Sequence, residues 1–338
     1  MKTIVCDQPD HFSYQERPAP VATHGQALVR IRRIGICGTD LHAFRGRQPY
    51  FSYPRILGHE LAGEIMAIGE GVTDLKAGDA VTVIPYLECG NCIACRSGKT
   101  NCCTSLQVIG VHQDGGMQEI ISMPADHLIK AAGVVYDELA LVECMAIGAH
   151  AVRRAVVSKG ENVLVIGAGP IGLGIMQFAR IAGGRVIALD LDAQRLEFAR
   201  SWSGADATIE GGDEQAKSLV TELTDGNGAS VVFDATGSAQ SMIQGFDYVA
   251  HGGRYLLVSI VDATISFYDP DFHRREMTLL SSRNATRDDF LQVLRCMAAK
   301  QLDLVPLISH RCRFDRLVEE FGGWTSPGAG LVKGMVEI

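Results

Sequence analysis

The sequence predicts an α/β plus β protein of two domains: a β-rich, barrel-like first domain, and a second domain with a doubly wound parallel sheet. Three observations lead there. From Thr3 to about Ala131 the chain is written in short β-rich pieces cut by Gly, Pro and Asp turns. From Val163 onward, strand and helix candidates alternate, which is the pattern of βαβ units on a parallel sheet. The first of those strands, 163–166, opens directly into Gly167-Ala168-Gly169-Pro170-Ile171-Gly172.

Taken in order, the runs 27–32 and 79–84 alternate as strands of the first domain. Near Glu138 the texture turns helical, and 138–143 followed by 148–156 reads as a connector, with the domain boundary close to Ile147. Helices are then expected at 171–181, 193–203 and 239–250, and strands at 185–190, 230–234 and 255–259. A helix at 288–299 follows, and short strand pieces ending at 332–338 return to the first domain. The expected division is 1–147 with 285–338, and 148–284.

At 338 residues and 47% hydrophobic content the chain is long and apolar enough for two full cores. Its net charge of -8 argues against a nucleic-acid partner or an anionic membrane surface, which need a surplus of Lys and Arg. The start, Met1 to Asp7, meets an acid too early for a signal-peptide core, and the longest uncharged stretch, 163–179, is too short and Gly-rich for a membrane span. A cytoplasmic protein is expected. Its 10 cysteines then read as thiols and metal ligands rather than disulfides.

In the glycine motif, Gly167 allows a tight turn, Gly169 lets backbone approach a pyrophosphate, and Gly172 lets the helix beyond Ile171 pack closely on the strand. Asp190 ends the next strand, where a carboxylate accepts hydrogen bonds from both ribose hydroxyls and repels a 2′-phosphate. NAD is therefore expected over NADP, with Arg195 nearby to flank the adenine or soften that preference. Asp234-Ala235-Thr236-Gly237 and Val258-Ser259-Ile260 end later strands and should line the same cleft. A glycine-rich turn without ligand is the bland alternative.

Two metal constellations stand out. Cys89, Cys92, Cys95 and Cys103 give four soft ligands on one loop, enough for a closed tetrahedral zinc site. An iron–sulfur cluster is the rival, and the neighbouring Cys102 is a possible substitute ligand. Gly35-Ile36-Cys37-Gly38-Thr39-Asp40-Leu41-His42, Gly58-His59-Glu60 and Glu143-Cys144 together supply a thiolate, an imidazole and carboxylates, with Asp40 available to orient His59. One carboxylate with Cys37 and His59 makes a neutral zinc site; a second makes it anionic and weakens its pull on an alcohol oxygen.

The order of these motifs resembles the zinc-dependent medium-chain alcohol, polyol and threonine dehydrogenases over essentially the whole chain. The segments 51–55, 108–116 and 282–286 look most like bacterial sugar-acid dehydrogenases of the L-galactonate 5-dehydrogenase type. The resemblance implies a GroES-like catalytic domain, a Rossmann NAD-binding domain, and about two zinc ions per chain. It implies Cys37 and His59 as catalytic zinc ligands, with Glu60 or Glu143 near the metal. Cys144 is the rival to Glu143, because it stands where the polyol branch has Pro and the alcohol dehydrogenase branch has a ligand Cys. Thr39 and His42 would relay the proton as a hydride passes to nicotinamide.

A sugar acid or related polyol is the expected substrate. Arg283 and His112 are placed near it by resemblance, Phe51 is a further candidate, and Arg45, Arg47 and Arg55 are other cations available for a carboxylate. A homo-oligomer, dimer or tetramer, is expected. The alternatives are a threonine or simple polyol dehydrogenase, a non-catalytic zinc-stabilised NAD-binding regulator, and a zinc-ribbon nucleic-acid binder, which the acidic balance disfavours.

Overall fold

The computed structural model describes residues 1–48, 51–212, 214–326 and 328–338. The chain divides into two compact units, Met1–Cys144 with Thr286–Ile338, and Met145–Ala285. The division falls within one helix, Tyr136–Ala155. Sequence patterning suggested two helical pieces there; Gly148 does not break the helix. A Cβ at Gly148 would lie 2.7 Å from the backbone of Gly174, so the glycine permits close helix packing instead.

In the second unit the apolar run Asn162–Ile166 becomes the middle strand of a six-stranded, wholly parallel sheet. Its spatial order is Ala207–Glu210, Arg185–Asp190, Asn162–Ile166, Ala229–Asp234, Val249–Leu257, Thr278–Ser281. Numbered along the chain, the strands run 3-2-1-4-5-6, so the order reverses between Asn162–Ile166 and Ala229–Asp234. In a doubly wound sheet that switch point leaves a crevice outside the strand ends, where ligands bind.

Three expectations are corrected here. The helix expected at 239–250 ends as Ala239–Gln244, passes through a tight turn of helix at Gly245–Tyr248, and gives way to a strand at Val249, which pairs with Ala229. The helix expected at 193–203 is α-helical only over Ala193–Phe198, widens to a π turn at Ala199–Ser203, and ends on Gly204 at φ 62°. Two strands, Ala207–Glu210 and Thr278–Ser281, and the helix Glu214–Leu223 had not been anticipated. Both strands have four residues and mostly exposed or half-buried side chains, so neither shows a clear apolar run.

In the first unit the long strand Gln26–Ile36 organises a seven-stranded sheet. Its first half pairs with Ile120–Pro124, nearly its whole length with Glu60–Ile68, and its last residues with Lys333–Glu337. The last strand of the chain thus returns to the first unit. The path continues to Ala80–Val83 and Leu128–Lys130 at one end and to Ile308–Arg313 at the other. Among the described residues the two ends of this path, Leu128–Lys130 and Ile308–Arg313, do not pair with each other.

Candidate metal and dinucleotide sites

Sheet register brings the first metal-ligand set together. Gly35 lies opposite Glu60 on one side and opposite Met335 on the other. Side chains alternate along a strand, so Cys37, two residues past Gly35, and Lys333, two before Met335, point to the same face as Glu60. His59 immediately precedes that strand. The result is that one ligand atom each from Cys37, His59 and Glu60 lies within 4.8 Å of the others. Gly35 is required for this arrangement, since a Cβ there would sit 2.2 Å from Glu60 Oε2.

Around this set the polar groups are buried and unevenly satisfied. Glu60 Oε1 accepts a hydrogen bond from Lys333 Nζ at 2.6 Å, and Glu143 Oε1 accepts one from the Tyr86 hydroxyl. Glu60 Oε2, Glu143 Oε2 and His59 Nδ1 have no partner. A buried orphan of this kind costs about 1–3 kcal/mol unless something takes it up. A thiol, an imidazole and a carboxylate with spare lone pairs are the donor set of a zinc site, so these residues fit that ion. Glu143 and Cys144 lie outside the tight set. Burial pushes the Cys144 thiol well above its usual range and the Glu143 carboxyl up to about 7, with His59 opposing the latter.

Asp40 does more than was expected of it. Its Oδ2 accepts the Cys37 N–H at 2.9 Å and its Oδ1 the Gly58 N–H at 3.1 Å. It therefore fixes the backbone on both segments, and its Oδ1 also lies 3.7 Å from His59 Nδ1, at ion-pair rather than hydrogen-bond distance. Burial opposes charge on the His59 ring, but Asp40, Cys37 and Glu143 outweigh it and raise the ring's pKa well above the usual value.

The second set is Cys89, Cys92, Cys95 and Cys103, with all four sulfurs within 4.8 Å of one another. Four thiolates around one zinc at about 2.3 Å would be spaced by about 3.8 Å, so the set fits a single ion. Cys92 caps the short helix Ile93–Arg96, and the Cys95 N–H it accepts holds its thiol down at about 5. Cys102 is exposed and outside the set.

In the second unit the three motif glycines take three distinct places at the switch point. Gly167 has φ 96°; Gly169 has open space where a side chain would go; and a Cβ on Gly172 would meet the Gly167 carbonyl oxygen at 1.8 Å. Gly169 caps the helix Pro170–Ile181, so unpaired N–H groups face the open space, and Ile171 lies in its first turn. Asp190 ends its strand with Oδ2 on the Ala168 N–H at 2.6 Å and Oδ1 on the Asp192 N–H at 2.9 Å, which ties it to the glycine turn. Arg195 is exposed and pairs with Asp192 at 3.9 Å. Val258, Ser259 and Ile260 follow directly on the strand Val249–Leu257. These residues fit a dinucleotide.

Thr39 and His42 lie three apart on the helix Gly38–Phe44, hence on one face, Thr39 half-buried and His42 exposed. Of the substrate candidates, Phe51 packs edge-on against Tyr53, His112 Nδ1 accepts the Val108 N–H at 3.0 Å, and Arg283 is exposed. Arg45 is paired with Asp10 at 2.6 Å and Arg55 with Asp114 at 3.7 Å, so both have carboxylate partners already. Sequence reasoning missed Lys333, Tyr86 and the role of Gly35. A lysine inside the apolar ending 331–338 was the one available signal.

Residues 23–133 match the alcohol dehydrogenase GroES-like domain family, and residues 170–299 the zinc-binding dehydrogenase family. The chain is 41% identical over 339 residues to L-galactonate-5-dehydrogenase of Escherichia coli (strain K12), covering 99% of this chain and 98% of that protein. An alcohol dehydrogenase from E. coli CFT073, solved with NADH, superposes with a TM-score of 0.93 at 30% identity, covering 100% of this chain and 99% of that one. A zinc-binding dehydrogenase from Sinorhizobium meliloti 1021, bound to NADP, gives 0.90 at 27% identity, covering 100% and 99%. No helix among the described residues is long and apolar enough to cross a membrane.

Proposed function

The chain belongs to the zinc-binding alcohol dehydrogenase family with a GroES-like domain, and from that premise we propose that it oxidises a secondary hydroxyl of a sugar acid of the L-galactonate kind to the ketone, using NAD. It is an oxidoreductase acting on CH–OH donors. The observation that carries the reading is the convergence of one ligand atom each from Cys37, His59 and Glu60 to within 4.8 Å.

A bound zinc ion would polarise the substrate hydroxyl, and bound NAD would accept the carbinol hydride. Cys37, His59 and Glu60 would hold that zinc, with Glu143 available beside them. Lys333 offsets the charge of Glu60, so the Cys37 thiolate and Glu143 together balance a divalent ion, and the second carboxylate does not leave the centre anionic. Thr39 would relay the hydroxyl proton, accepting it as its own hydroxyl proton passes by way of the nicotinamide ribose to His42, which delivers it to solvent; the half-buried position of Thr39 and the exposed one of His42 suit that direction. Gly167, Gly169, Gly172 and Asp190 hold the dinucleotide, and Asp190 favours NAD. Arg283, with His112 and Phe51, is assigned to the substrate.

The four-cysteine loop holds a second, closed zinc, giving about two per chain. On this reading 1–147 with 285–338 form the catalytic zinc-binding domain and 148–284 the NAD-binding domain. Ten unpaired thiols suit a reducing cytoplasm, and the protein is read as a homo-oligomer, dimer or tetramer. Sedimentation as a monomer would contradict that last point.

The test is NAD reduction by the zinc-loaded protein against hexonates, pentonates, polyols and threonine. The highest kcat/KM should fall on a hexonate; a threonine optimum would overturn the substrate reading. The same assay on Thr39→Val and His42→Ala should show losses of roughly tenfold or more in kcat, and unchanged values in both would remove the relay.

A further inference from the structure

We propose that Tyr86 is a positioning residue for Glu143, a role that rests on the reading of Glu143 as part of the catalytic metal centre. The Tyr86 side chain is buried, and its hydroxyl donates to Glu143 Oε1. Glu143 Oε2 has no partner and is buried. One oxygen of this carboxylate is therefore tied back, and only the other is left to turn toward a cation. Without Tyr86 neither oxygen would have a hydrogen bond to set which way the carboxylate faces.

Tyr86 is itself held from three sides. Its strand Tyr86–Leu87 pairs antiparallel with Gln107–Val108, and the cysteine loop from Cys89 to Cys103 is strung between the two strands. The Cys89 N–H donates to Cys103 Sγ at 3.3 Å, which draws the loop ends together just beyond the pair. His127 Nε2 lies 3.1 Å from the Tyr86 carbonyl oxygen and 3.0 Å from Glu88 Oε2, fixing the backbone at Tyr86 and holding the Glu88 side chain beside it. The ring packs edge-on to Phe290 at 6.3 Å. A tyrosine so constrained is a rigid donor, which a positioning role requires.

The test uses the zinc-loaded full chain and Tyr86→Phe, which keeps the ring and removes only the donor. Zinc lost to a chelator, and the visible spectrum of the cobalt-substituted catalytic centre, are read without any substrate, so the outcome is separate from that of the substrate panel. Tyr86→Phe should weaken retention of the catalytic-centre metal roughly ten- to a hundredfold and alter the cobalt spectrum, with the loop metal retained. In Glu143→Leu, which keeps bulk but has no oxygen to position, adding Tyr86→Phe should cause no further loss. Wild-type retention and spectrum in Tyr86→Phe, or the same added loss in the Glu143→Leu background, would overturn the proposal.

Discussion

Lys333 and Glu60 form an ion pair of 2.6 Å with both side chains buried. It joins the final strand of the chain to Glu60, a member of the proposed metal-ligand set two strands away, with Gly35 between them. Desolvating two charges is costly, and only mutual attraction with good geometry offsets it. The pair therefore matters most when one member is lost.

Lys333→Met should destabilise the protein by about 3–5 kcal/mol, because it leaves Glu60 buried without its cation. Lys333→Arg should cost less. Denaturant unfolding of the metal-free chain measures this directly, and a change in Lys333→Met no larger than an ordinary surface substitution would show that Glu60 does not depend on the pair.

Gly35→Ala should deplete the catalytic zinc while leaving the cysteine-loop zinc in place, since the added methyl would fall 2.2 Å from Glu60 Oε2 and push the carboxylate away. Gly322→Ala, where no atom lies within 4 Å of the added methyl, is the control. Elemental analysis giving equal zinc in the two variants would contradict the close-approach argument.

Asp190→Ala should lower the preference for NAD over NADP, because the variant has neither a carboxylate to hold ribose hydroxyls nor a charge to repel a phosphate. The comparison is kcat/KM with each cofactor. An unchanged ratio would move the basis of selectivity elsewhere in the cleft.

The first unit should also carry an acid-sensitive ion pair. Asp137 accepts from Arg33 and Arg311, each at 2.6 Å. Burial raises the Asp137 carboxyl, but the hydrogen bonds from Arg311 and Arg33 outweigh it and hold it below the usual range. A carboxylate lowered on folding contributes stability above its unfolded pKa of about 3.9 and loses it as pH falls through the folded value. Asp137→Asn should therefore cost on the order of 1 kcal/mol at neutral pH and nothing in strong acid. Unfolding curves for both proteins that stay parallel across the acid range would refute the linkage.

The sequence showed what depends on local spacing. Cys89, Cys92, Cys95 and Cys103, and the glycines from Gly167 to Gly172, are recognisable because the chemistry needs them a few residues apart. The supporting contacts were hidden because their partners are distant: Lys333 and Glu60 are 273 residues apart, and Tyr86 and Glu143 are 57. Gly35 was visible in its motif, but its purpose appears only when register sets it opposite Glu60. Asp40 was expected to serve His59 and does lie at ion-pair distance from it, but its hydrogen bonds to the Cys37 and Gly58 backbone were not legible, because they depend on how two separate segments meet. The short strands Ala207–Glu210 and Thr278–Ser281 escaped notice because side chains facing solvent leave no apolar run.

The central claim is that Cys37, His59 and Glu60 form the catalytic metal centre, separate from the cysteine loop. Zinc content and NAD-linked turnover of His59→Ala, measured together on the purified folded protein, test it most directly. The account predicts a fall from about two zinc ions per chain to about one, with turnover lost and the loop zinc retained. Two zinc ions retained, or turnover kept at the wild-type rate, would contradict it.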